Sequence, residues 1–138
     1  MQTHAKPASL AYTHNENMGL IATMLEYDAK PGKATFNDVI AYIDSQYDFT
    51  PRYFTNGNTL SAINKNFGSQ KIFSYAKILG CDKEETLALF CEHYEAVLAN
   101  PTGTDHANIR NFQRFGWTKN GNDSVRFPFG LALDKKQR

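Results

Sequence analysis

The chain has 138 residues, 41% of them hydrophobic, and its 10 Phe and 7 Tyr supply enough bulk for one domain with one core. That composition excludes a chain disordered throughout, and the net charge of +1 removes the global signature of a nucleic-acid binder. No apolar run approaches the ~20 residues of a membrane helix, and the N-terminus lacks the basic-then-apolar order of a secretory signal.

In chain order, residues 1–17 are polar and read as a flexible extension, with a single domain over 18–131 and a polar tail over 132–138. Met18–Tyr27 is dense in apolar residues and predicts a short first helix, ended by Lys30-Pro31-Gly32-Lys33. Thr35 followed by Asp38 is a capping pair. It opens a helix whose inner face is Phe36, Val39, Ile40, Ile43 and Tyr47, and which ends near Gln46. Asn56-Gly57 marks a hairpin or turn. Ser69 caps the next helix, which buries Ile72, Phe73, Ala76 and Leu79 and stops at Gly80. Asp82 with Glu85 caps one long helix to Ala99, with Leu87, Phe90, Cys91, Tyr94, Val97 and Leu98 on its apolar face. A last helix runs from Thr104 or Asp105 to Phe115, closed by Gly116. Val125-Arg126-Phe127 predicts a strand that pairs near Phe54. The expected class is mainly α: about five short helices around one core, with a minor β-hairpin or small antiparallel ribbon.

The run TDHANIRNFQRFGW, Thr104–Trp117, concentrates the polar chemistry. On a helix, Ala107, Arg110, Asn111 and Arg114 share one side, while Ile109 and Phe112 face the core. Two guanidinium groups and an amide beside a helix N-terminus suit a phosphate or carboxylate. Asp105, His106, Asn108, Arg110, Asn111, Arg114 and Trp117 are therefore the candidate ligand-binding residues. The plainer reading is that the arginines pair with internal acids and the amides tie down loops. A catalytic Asp105-His106 dyad is weaker, because sequence neighbours on a helix do not face each other and no nucleophile motif adjoins them.

Cys81 and Cys91 fit no CxxC spacing and read as reduced, partly buried thiols. With His93 and His106 they form no metal-ligand pattern, and His93 reads as a partly exposed surface residue. No metal or cofactor is expected. Charge is uneven, net +4 from Pro101 onward and −3 before it, with aromatics interleaved in the basic third. Such aromatics at helical spacing usually belong to a core, so a nucleic-acid partner is not favoured.

The segments YDFTPRYFTNG, NFGSQKIFSYAKILG, EETLALFCEHYEAVL and GTDHANIRNFQRFGW, in that order, resemble the HopJ type III effector family of bacteria over roughly Leu25–Phe127. Two features depart from the family's pattern. Many members carry a cysteine where this chain has Gln70, and Thr118–Ser124 reads as inserted. The resemblance implies no catalytic residues. It implies either a bacterial protein of the cytoplasm or a substrate of a type III secretion apparatus. Three functions stay open: a small soluble domain that binds an unknown protein or anionic ligand, a secreted effector acting in a host cell, and an enzyme using His106.

Overall fold

The computed structural model describes residues 34–137. The helix expected at Met18–Tyr27 lies outside them. Helix α1 (Phe36–Gln46) begins with the capping box of Thr35 and Asp38, and buries Val39 and Ile43. Strand β1 (Tyr47–Phe49) follows directly, then β2 (Phe54–Asn56) and β3 (Thr59–Ser61), joined through Gly57. Helix α2 (Phe67–Leu79) crosses the middle of the molecule. Helices α3 (Lys83–Ala88), α4 (Glu92–Ala99) and α5 (Ala107–Phe115) come next. Four short strands finish the chain: β4 (Thr118–Lys119), β5 (Asn122–Asp123), β6 (Val125–Arg126) and β7 (Leu133–Lys135).

The class is an α+β mixture rather than mainly α, because the loops pair into three small antiparallel sheets. β2 is flanked by β3 and β6, and Thr55 faces Arg126 in the register expected near Phe54. β1 pairs with β7, Phe49 against Leu133, so the segment expected as a solvated tail is stitched to the core. Alternation explains the miss: in LDK only Leu133 is buried, and one inward residue leaves a weak signature. The stretch Thr118–Ser124 forms the hairpin β4–β5.

α2 is buried around most of its circumference, with Ile72, Phe73, Tyr75 and Ala76 at 0% exposure. Phe73 is the hub of an aromatic cluster. Its ring centroid lies 5.2 Å from Phe112, 5.6 Å from Phe90, 5.8 Å from Phe54 and 6.2 Å from Trp117. Truncating such a ring costs about 3–5 kcal/mol. Gln70, equally buried, is fully used: its Oε1 accepts from the Arg52 amide at 2.6 Å, and its Nε2 donates to the carbonyls of Ile63 (3.1 Å) and Lys65 (2.9 Å). The position thus holds two loops against α2.

Three helix limits differ from those expected. The long helix from Asp82 is broken between α3 and α4, where Cys91 takes φ 52° and ψ −122°. Leu87, Leu89, Phe90 and Cys91 are all buried, and one straight helix cannot turn all four inward. The break swings the second half and satisfies each residue in turn. α2 starts at Phe67 after Asn66, not after Ser69, and α5 starts at Ala107 after His106 rather than after Thr104 or Asp105.

Candidate functional site

α2 and α5 begin alike. Asn66 (φ 57°) and His106 (φ 52°) sit in the left-handed region, and neither side chain caps the first turn behind it. Non-glycine residues adopt this conformation uncommonly, asparagine and histidine more readily than most. Both starts open onto one cavity of about 400 Å³. Asn66, Gly68 and Ser69 line it from α2, and His106, Ala107, Asn108 and Ile109 from α5, with Phe36, Thr59, Phe90 and His93 completing the wall. The strained turn at Cys91 places Phe90 and His93 there from either side of the helix break.

The two imidazoles meet at the cavity wall, 5.1 Å between centroids. His106 Nε2 lies 3.9 Å from Asp105 Oδ2. Asn108 is 7% exposed. Its carbonyl oxygens, main-chain and side-chain, both accept from Asn56 Nδ2, at 2.8 and 3.0 Å. That contact fixes the orientation of the amide. Its Nδ2 makes no hydrogen bond to the described residues, and Asn108 is one of the residues that line the cavity. The wall therefore carries a preset amide donor, two imidazoles and two uncapped helix starts.

The remaining candidates from the Thr104–Trp117 run serve other ends. Arg110 curls back on the loop before its own helix: Nε donates to the Asp105 carbonyl at 2.5 Å, Nη1 to the Asn100 carbonyl at 2.8 Å, and Nη2 pairs with Asp105 Oδ1 at 2.7 Å. Gly103 makes room for it, since a Cβ there would sit 2.7 Å from Nη2. Asp105 does not cap the helix as expected; its carboxyl answers Arg110, whose hydrogen bond holds it below the usual aspartate range. Asn111 donates to the Asn56 carbonyl at 2.7 Å and to Thr59 Oγ1, tying α5 to β2 and β3. Arg114 is exposed with its guanidinium over the Phe115 ring, 5.1 Å from the centroid. Trp117 donates from Nε1 to the Cys81 carbonyl at 2.9 Å and packs edge-on to Phe112. Of the seven, only His106 and Asn108 line the cavity.

His93, expected as partly exposed, is of intermediate exposure, but sequence reasoning did not place it at the site, nor the lining residues Phe36, Thr59, Asn66, Gly68, Ser69 and Phe90; the proximity of His93 to His106 depends on the turn at Cys91. Both cysteines are free thiols, and they are buried rather than partly buried as expected. Among the described residues no group of His, Cys, Asp or Glu is arranged to hold a metal ion, and no helix is long and apolar enough to cross a membrane.

The model of the HopJ type III effector protein family matches residues 20–127. The crystal structure of VPA0580, a protein of unknown function, superposes with a TM-score of 0.72 at 40% identity, covering 87% of this chain and 93% of that one. No curated protein shows significant similarity. The chain belongs to the HopJ type III effector protein family.

Proposed function

We propose that this HopJ family member is a binding domain whose ligand carries an anionic group, phosphate or carboxylate, seated in the cavity between the starts of α2 and α5. The observation that carries the reading is Asn108, a residue 7% exposed that lines the cavity with both of its carbonyl oxygens held by Asn56. Two helix starts without side-chain caps add amide donors and the positive ends of two helix dipoles. His93 and His106 add donors that gain charge when protonated. The nearby carboxylates are engaged, Asp105 by Arg110 and Glu92 by the Phe36 amide at 2.8 Å. Of the arginines on the outer face of α5, Arg110 is committed to the Asn100–Asp105 loop, which favours the cavity over that face.

Thermal unfolding in sodium phosphate, against sodium chloride of equal ionic strength, tests this. Phosphate at about 100 times its dissociation constant stabilises by roughly 2.7 kcal/mol. His106→Gly removes an imidazole and suits the positive φ, so the variant folds at least as stably and loses most of the response. Equal responses from wild type and variant would count against the reading.

Family membership supports a second reading, that the protein is secreted and acts in a host cell. It concerns destination rather than chemistry, so both readings can hold. A reporter fused to residues 1–30 that leaves a secretion-competent bacterium supports it. Retention would leave a role in the bacterial cytoplasm.

A further inference from the structure

The cavity is too large for an oxyanion alone. A phosphate ion displaces a few water molecules at about 30 Å³ each, whereas about 400 Å³ falls in the range of organic ligands. One wall is a continuous row of flat rings. Phe36 stacks nearly parallel on Phe90, with centroids 6.0 Å apart and 9° between planes. Phe36 also meets His93 at 4.8 Å, and His93 meets His106 at 5.1 Å. Phe90 is 2% exposed, so Phe36, half-buried, is the ring that offers area to a ligand. His106 stands at one end of the row and Phe36 with Phe90 at the other, where Phe36 lies against Gly68 on the first turn of α2.

We infer that the ligand joins its anionic group to a flat aromatic body, an aryl phosphate or aryl carboxylate in chemical class, and that Phe36 selects for the body. The inference rests on the anion reading above. Aromatic rings prefer offset or edge-on contact with one another, which the half-open face of Phe36 permits. Gly68 is the second part of the device. A Cβ at that position would lie 2.9 Å from Phe36 Cζ, so glycine lets the ring rest on the first turn of α2. A side chain at that position would force the ring to shift.

Calorimetric titration of the full chain with phenyl phosphate, methyl phosphate and inorganic phosphate tests this. Wild type is expected to bind phenyl phosphate at least about tenfold tighter than methyl phosphate, a gap within reach of one well-placed ring contact. In Phe36→Leu that ratio falls toward one while the affinity for inorganic phosphate holds. The comparison of phenyl and methyl phosphate on wild type reports even where Phe36→Leu fails to fold. Equal binding of the phenyl and methyl esters by wild type overturns the inference and leaves the anion reading standing. A phenyl preference that survives Phe36→Leu overturns the role of Phe36. Binding of none of the three by wild type overturns both.

Discussion

Among the described residues there are five helix starts: α4 opens without a side-chain cap from the turn at Cys91, and the other four divide into two pairs. α1 and α3 open with complete capping boxes, Thr35 with Asp38 and Asp82 with Glu85, so each first turn is satisfied by side chains of its own segment. α2 and α5 open from left-handed residues without a side-chain cap, and their starts share one cavity. The first pair is built for local stability. The second pair is held by tertiary contacts, and no side-chain cap meets its first-turn amides. Gln70 holds the start of α2 through three hydrogen bonds to loops, and Asn56 holds the start of α5 through Asn108.

That difference can be broken at either pair. The largest effect is expected at Gln70, a buried side chain whose replacement by alanine strands three backbone groups in partly buried hydrogen bonds. Urea unfolding should show a loss of about 3 kcal/mol with an unchanged m-value. Asp82→Ala removes a cap whose box is local, and should cost about 1 kcal/mol. A loss at Gln70 no greater than at Asp82 would contradict the division into tertiary and local support.

Ala107→Asp sharpens the comparison by giving a bare start its own anion. Ala107 is exposed at the first position of α5, so the carboxylate should stabilise by about 0.5 kcal/mol and abolish the phosphate response. Unchanged stability and an intact phosphate response would argue that this start is not a donor site.

The smallest effect concerns Asp105. Arg110 depresses its folded pKa, so its contribution is present above the unfolded value and fades as pH falls through the lower, folded one. NMR titration of the carboxyl should place its midpoint below the ordinary aspartate range, and Arg110→Gln should raise it. The group is exposed, so little change in overall stability is expected.

The residues that made the structure legible are those whose signal is local. The two capping boxes, Gly80 and Gly116 place helix ends to within a residue or two, because each acts within one turn of the chain. Val125 and Arg126 pair beside Phe54 as their β-propensity and the adjacent turns suggest. What stayed hidden depends on tertiary strain. Asn66, Cys91 and His106 adopt positive φ with no glycine to announce it, and those three turns create the cavity. His106 and Asn108 were legible as candidates because they stand in a polar run. Their division of labour from Arg110, Asn111 and Trp117 was not, since helical spacing assigns a face and cannot say that Arg110 folds back on its own loop. His93 carries no sequence signal beyond being a histidine.

The most direct test is a ¹H–¹⁵N NMR titration of the full chain with inorganic phosphate. The account predicts saturable shifts confined to the amides of Gly68, Ser69, Ala107 and Asn108, the Asn108 side-chain amide, and the rings of His93 and His106. Shifts centred on Arg114, or none that saturate, would contradict the central claim that the two uncapped helix starts form an anion site.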